Sequence, residues 1–335
     1  MKKLNHMKKL RFGIVGTGTI AHRFAEAIKN VPEAELTAVA SRKQETADAF
    51  GDEFSVPYRF GSYEEMASSD KIDCAYIAVP HSLHKECSVL MLNGKKHVIC
   101  EKPMAVNLSE AKAMFKAAEE NGCFLMEAMW ARLVPGTIKL LELIKNGVLG
   151  EVKGVEGKFC YAFDEDEMEH HALKVENGGG SLLDVGVYAL YFSKWFLGEE
   201  TEEILAQSDF YKGTDSHTNI LIKYKSGALA ALSSATLLRK PNEGYIYGTK
   251  GFIHINRFYA PQEIEIKLLD GTNETIKTPY RGNGFEEQIS HMCECVNAGM
   301  TSSPVNTPEN TLFIIKQMDY IRKLTGVTYP QDSEI

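Results

Sequence analysis

Two patterns of hydrophobic and polar positions run along this chain of 335 residues, and the change between them falls near residue 130. Before it, short unbroken apolar runs are each followed by stretches with apolar positions at helical spacing. Leu10-Arg11-Phe12-Gly13-Ile14-Val15 reads as a buried strand, residues 20–30 as a helix and 35–40 as a second strand. Cys74-Ala75-Tyr76-Ile77-Ala78-Val79, residues 97–100 and residues 124–128 are further strands, with helices predicted over 84–93 and 107–121. Strand, helix and strand repeated at this spacing predict an α/β fold with a parallel, doubly wound sheet.

Beyond residue 130 the pattern predicts a helix over 135–146, then strands, one long helix over 181–197, and later strands at 203–211, 219–224, 228–235, 251–255 and 263–268. Turn signals such as Lys225-Ser226-Gly227 and Asp270-Gly271 join them. This reads as an α+β domain whose open, mainly antiparallel sheet carries helices on one face. Two amphipathic helices, 285–298 and 308–325, close the chain, the second with Thr307 as N-cap and Pro308 in its first turn. The expected domains are 8–129 and 130–330, since 335 residues exceed what one core usually serves.

Composition narrows the class. Hydrophobic content of 44% and charged content of 24% belong to a soluble globular protein. A net charge of −8 gives no basic face for nucleic acid. No segment is long and apolar enough for a signal peptide or a membrane span, so the reading is a cytoplasmic protein with a short, basic, frayed leader over residues 1–9. Seven scattered cysteines without a C-x-x-C fit reduced, buried thiols and no metal site. The acidic run 164–169 reads as a solvated loop, because it lacks the ligand spacing and turn glycine of a calcium loop.

Candidate chemistry begins at Gly16-Thr17-Gly18-Thr19-Ile20-Ala21, which follows the first strand and opens the first helix, as a dinucleotide fingerprint must. Gly16 permits the tight turn, Gly18 lets a pyrophosphate approach the backbone, and Ala21 allows helix and strand to pack closely. The helix start supplies N–H donors and a positive dipole end. The second strand ends Ala40-Ser41-Arg42-Lys43 with no carboxylate for a ribose 2′-hydroxyl, whereas Arg42 and Lys43 suit a 2′-phosphate. NADP is therefore expected over NAD. Pro80, His81 and His84 follow a strand on the same sheet edge and are cofactor-site candidates, Pro80 and His84 expected to flank the nicotinamide and the two histidines read as polar lining or helix-start residues, since no carboxylate or cysteine joins them as a metal site. Glu101-Lys102-Pro103 ends another strand and points a lysine into the ligand crevice.

In the second half, Gly178-Gly179-Gly180 leads into the helix that displays Asp184 and Tyr188 at i and i+4, hence on one face, with Gly186 between them leaving room for close approach. With these residues the chain resembles the glucose-fructose oxidoreductase, inositol dehydrogenase and rhizopine-catabolism (Gfo/Idh/MocA) oxidoreductases over nearly its whole length. Tyrosine at 188, with Glu127-Ala128-Met129-Trp130-Ala131-Arg132 upstream, is similar to the dimeric dihydrodiol dehydrogenase and NADP-dependent D-xylose dehydrogenase branch. The resemblance implies a Rossmann domain and a C-terminal sheet used in a homodimer or homotetramer. It also implies hydride transfer between nicotinamide C4 and the hydroxyl-bearing carbon of a small carbonyl or polyol substrate. Such a transfer needs a base near neutral pH. A tyrosine beside an ammonium suits it, because the cation favours phenolate. Tyr188 is the expected acid/base, Lys102 its electrostatic partner and Asp184 an orienting group, with Lys102 as the alternative proton carrier. Trp130 and Arg132 are candidates for the substrate pocket, the tryptophan equally for a core position. The competing readings are a silent NADP-binding sensor and a nicotinamide-dependent elimination enzyme on the same fold.

Overall fold

A computed structural model describes residues 8–334. Most of the basic leader, residues 1–7, lies outside the described residues. The chain divides into two compact units: residues up to Ala105, Ser109–Trp130 and Arg281–Leu312 form the first, and Val106–Leu108, Ala131–Tyr280 and Phe313 onward form the second.

In the first unit strands and helices alternate: β1 (Leu10–Val15), α1 (Thr19–Ile28), β2 (Ala34–Ala40), α2 (Gln44–Phe54), β3 (Tyr58–Phe60), α3 (Tyr63–Ser68), β4 (Cys74–Ile77), α4 (His84–Asn93), β5 (His97–Cys100), α5 (Leu108–Asn121) and β6 (Leu125–Glu127). All six strands are parallel in the order β3-β2-β1-β4-β5-β6, the doubly wound arrangement expected. Helices α2 and α3 and the three-residue β3 are additions to the predicted pattern; so short a strand carries no periodicity of its own. β4 is buried at every position because helices cover both faces of a parallel sheet. The free edge of β6 is covered by a returning segment, where Leu125 donates to Thr301 O at 3.2 Å.

The second unit begins with α6 (Pro135–Lys145) and β7 (Val152–Cys160) and continues through α7 (Val187–Leu197). Seven strands follow: β8 (Thr201–Tyr211), β9 (Thr214–Tyr224), β10 (Leu229–Ala235), β11 (Glu243–Gly248), β12 (Gly251–Asn256), β13 (Glu263–Leu268) and β14 (Asn273–Lys277). α8 (Glu286–Asn297) belongs to the first unit, and α9 (Pro308–Thr325) begins in the first unit and continues in the second. The eight-stranded sheet has the order β14-β13-β12-β11-β7-β10-β9-β8 and is antiparallel except where β10 lies parallel to β7. Pattern reading passed over β11, a glycine-punctuated strand, and β14, which is polar at nearly every position. α7 packs on β7 and β10. Ile204, Ile220, Ile222 and Leu232 are buried, whereas Leu205, Leu221 and Leu229 on the alternate face are exposed.

At the amino edge of the parallel sheet Asp73 accepts from the Arg11 backbone at 3.0 Å, the Arg11 side chain at 3.0 and 3.1 Å, and Lys8 at 3.0 Å. Burial alone would raise this carboxyl's pKa, but these bonds outweigh it and hold it well below the usual carboxylate range. A depressed folded pKa contributes stability above the unfolded value, near 4, that is lost as pH falls toward the folded one. Urea unfolding of Asp73→Asn should show a loss of about 1–2 kcal/mol at pH 7. The gap to wild type should narrow steadily below pH 4, and a gap independent of pH would contradict this account.

Candidate active site

Gly16 has φ of +104°, and a Cβ there would lie 2.4 Å from Ala78 O, so close packing of β1 on the end of β4 demands glycine. Gly18 precedes α1 in extended conformation with no side-chain cap, and no atom lies within 4 Å of where its Cβ would be. Thr19 is exposed, Thr17 and Ile20 are half-buried, and the first turn of α1 holds no acidic residue. Backbone N–H groups at an open helix start without a carboxylate suit a pyrophosphate, so the fingerprint fits the dinucleotide it predicts.

One strand away, Ser41 N bonds Phe60 O at 3.1 Å, and Ser41 Oγ accepts from Thr46 Oγ1 at 2.6 Å. Arg42 and Lys43 are exposed, and among the described residues neither charged head has a hydrogen-bond or ion-pair partner. α2 starts after Lys43 without a side-chain cap, which leaves a second set of N–H donors beside the two cations.

Pro80 is half-buried and His81 is 8% exposed. His84 is enclosed: Nδ1 lies 2.9 Å from Pro103 O and Nε2 2.9 Å from Val79 O. Burial, reinforced by Lys102, pushes its pKa down to about 4 against the pull of those carbonyls. This neutral ring, at the start of α4, ties the end of β4 to the segment after β5. Glu101 is buried and accepts from Tyr76 OH and, at 3.2 Å, from Lys102 N. Its pKa is raised by burial, opposed by Tyr76 and Lys102. Tyr76 in turn stacks on Phe24 of α1 at 3.8 Å. The carboxylate thus fixes the backbone from which half-buried Lys102 projects.

In the second unit the long helix predicted over 181–197 is a π-helical turn, Leu182–Gly186, followed by α7. Val187 N bonds Leu182 O, so Asp184 sits in a wide turn and Tyr188 in a normal one, and the two are not related by regular i, i+4 geometry. Asp215 on β9 anchors the turn. Its Oδ2 accepts from Ser181 Oγ at 2.7 Å, Leu182 N at 2.7 Å and Thr218 Oγ1 at 2.8 Å. A Cβ on Gly180, whose φ is +125°, would lie 2.2 Å from Asp215 Oδ1, and one on Gly179 would lie 2.6 Å from Ala172 O. A Cβ on Gly186 would meet Ser234 Oγ at 3.1 Å. Gly180 and Gly186 thus serve packing against the sheet and Gly179 packing against the turn at Ala172, and the close approach expected at Gly186 is made by Ser234.

Tyr188 is buried, its ring 5.4 Å from Phe159 and 5.8 Å from Tyr259, which stack on each other at 3.8 Å. Sequence reasoning missed Tyr161, whose hydroxyl donates to Asp184 Oδ2 at 2.5 Å. Burial first, and then Asp184, push the Tyr161 pKa up, so it remains a neutral donor. Its only signal in the sequence was the period-2 aromatics Phe159, Tyr161 and Phe163. Trp130 belongs to the first unit, where its ring lies 5.2 Å from Phe285 with the Arg23 guanidinium 5.5 Å away. Arg132 is half-buried, and burial lowers its pKa.

Residues 10–129 match the model of an oxidoreductase family with an NAD-binding Rossmann fold, and residues 137–254 match the GFO/IDH/MocA C-terminal domain. The mouse trans-1,2-dihydrobenzene-1,2-diol dehydrogenase is 32% identical over 96% of this chain and 99% of its own length. The chain belongs to the Gfo/Idh/MocA family. It is therefore an NAD(P)-dependent oxidoreductase. The NADP-dependent scyllo-inositol 2-dehydrogenase IolU of Bacillus subtilis is likewise 32% identical, over 96% of this chain and 99% of its own. Among solved structures, aldose-aldose oxidoreductase from Caulobacter crescentus superposes with a TM-score of 0.87 at 25% identity, over 95% of this chain and 98% of that one. The 3-ketoreductase KijD10 from Actinomadura kijaniata, in complex with NADP and TDP-benzene, gives 0.87 at 26% over the same shares. Among the described residues no helix is long and apolar enough to cross a membrane.

Because Asp215 serves three donors, Asp215→Ala should cost at least about 3 kcal/mol in urea unfolding, and Thr218→Val, which removes one donor outside the π turn, about 1 kcal/mol. A cost for Asp215→Ala no larger than that for Thr218→Val would show that the carboxylate does not anchor the turn.

Proposed function

We propose that the chain is an NADP-preferring oxidoreductase that transfers a hydride between nicotinamide C4 and a hydroxyl-bearing carbon of a sugar, polyol, trans-dihydrodiol or dicarbonyl. The observation that carries the cofactor reading is the uncapped, open start of α1 at Gly18. Arg42 and Lys43, without partners at the end of β2, carry the preference for a 2′-phosphate. IolU is named for NADP, and KijD10 was solved with it, which favours the same choice.

When bound, the nicotinamide supplies or accepts the hydride. The residues of this chain then have to manage one proton. Tyr188 is the acid/base: it removes the hydroxyl proton as the carbonyl forms and returns it in the reverse direction. Lys102 is its electrostatic partner and a hydrogen-bond donor to the substrate hydroxyl. Asp184, held by Tyr161, orients substrate or lysine. The stacked rings of Phe159 and Tyr259 beside Tyr188 exclude water from its flank and suit the C–H face of a ring.

Fluorescence titration with NADPH and NADH, followed by turnover of a panel of aldoses, diols and dicarbonyls, tests these assignments together. Lys102→Ala and Tyr188→Phe should each lower turnover at least ~10²-fold with NADPH binding nearly intact. Arg42→Ala should weaken NADPH far more than NADH. Wild-type turnover in both catalytic variants, or equal loss for the two cofactors, would defeat the respective assignment. We further propose that the open face of the eight-stranded sheet forms a two-fold homodimer, on which a homotetramer can build. Exposed Leu205, Leu221 and Leu229 line a groove of about 420 Å³ there, with Tyr247 and Glu156. Sedimentation velocity should give a dimer that Leu221→Glu dissociates; a monomer in the wild type would remove the proposal.

A further inference from the structure

Gln288 and Gln317 each keep both polar atoms of the side-chain amide buried, and among the described residues neither amide has a hydrogen-bond partner. Gln288 lies wholly inside the first unit. Gln317, on α9, is 6% exposed and lines a groove of about 470 Å³ that belongs entirely to the second unit. A buried amide normally has partners, because desolvating a donor and an acceptor without them is unfavourable. No bond to the described residues holds this one, so turning it about its side-chain torsions toward a ligand breaks none.

α9 supplies one wall of the groove. Phe313, Lys316, Gln317 and Tyr320 are spaced i, i+3, i+4 and i+7, so they form a single stripe along the helix. Tyr320 is 49% exposed, which leaves its ring available for stacking. β8 and the turn before it contribute Glu199, Glu202 and Glu203. Glu199 is paired with Lys194 at 2.8 Å and Glu202 with Lys223 at 2.7 Å, so Glu203 and Lys316 are left to balance each other. The groove therefore has no net positive charge with which to attract a phosphate. We propose that it is a second small-molecule site and that it binds a neutral adenine nucleoside. The Gln317 amide matches adenine with two bonds, its carbonyl accepting from N6–H and its amino group donating to N7. Tyr320 gives the base a stacking face, and Glu203 accepts from the ribose diol, as carboxylates do at dinucleotide sites. None of these residues belongs to the dinucleotide fingerprint or to the proposed catalytic set, so the inference stands independent of the substrate reading above.

Isothermal titration of the full chain with adenosine tests the site, with the protein first saturated by whichever of NADPH and NADH binds more tightly, so that the dinucleotide site is closed to adenosine. Saturable binding of adenosine is expected. 7-Deazaadenosine, which has C–H in place of N7, and inosine, which has a carbonyl in place of the N6 amine, should each bind about tenfold more weakly. AMP should bind no more tightly than adenosine. Gln317→Met keeps the length of the side chain without its amide, and should bind adenosine about tenfold more weakly and no longer distinguish it from 7-deazaadenosine. No binding of adenosine by the cofactor-saturated wild type, equal binding of the three nucleosides, or unchanged discrimination in Gln317→Met overturns the proposal, and AMP binding tenfold more tightly than adenosine overturns its neutral ligand. A second arm needs no ligand: because the variant removes an unpaired amide, its Tm should match or exceed that of wild type. A Tm several degrees lower would show that the amide already has a partner in the folded protein, which equally overturns the site.

Discussion

Parallel pairing in the first sheet is the constraint on which the cofactor half of this molecule depends. Six strands running one way deliver every carboxyl end to a single edge, and the order β3-β2-β1-β4-β5-β6 reverses direction between β1 and β4. The fingerprint glycines, the cations after β2, the turn after β4 and Lys102 after β5 all emerge along that edge. Gly16 shows how tight the arrangement is, since the backbone of Ala78 occupies the place of its missing side chain.

Buried carboxyl groups fix the local geometry around the candidate catalytic residues. Glu101 holds the backbone at Lys102 through Tyr76 and its neighbour's N–H. Asp215 caps the π turn that bears Asp184, accepting a backbone N–H and two hydroxyl donors at once. Glu127 accepts from Met104 N and Thr311 Oγ1, both at 3.0 Å, and so ties the end of β6 to its surroundings within the first unit. A carboxyl group removed from water is tolerable only when donors converge on it, and that convergence makes the position of each donor rigid. Each of these groups acts beside a residue proposed for chemistry rather than on substrate.

The division of labour between the two units follows from their sheets. Parallel strands need crossover helices on both faces, which leaves only the edge for a ligand. The mainly antiparallel second sheet is covered on one face by α7, and its other face displays Leu205, Leu221 and Leu229 to the exterior. One sheet thus offers an edge for a dinucleotide, and the other leaves an apolar face exposed.

Periodicity and turn chemistry by themselves determined both fold classes, the strand-turn-helix setting of Gly16 and Gly18, the absence of a carboxylate after β2 and the bounds of α9, because each is a local property of consecutive residues. Only the tertiary structure decided the rest. His84 has its ring between the carbonyls of Val79 and Pro103, and the close approach at Gly186 comes from Ser234 of the sheet. Tyr161 joined Asp184 from the segment after β7, and Asp215 bonds the start of the π turn from 33 residues away in sequence. Which of two polar groups meets a ligand and which holds the backbone depends on what surrounds each one in space, and a chain written in one dimension does not carry those neighbours.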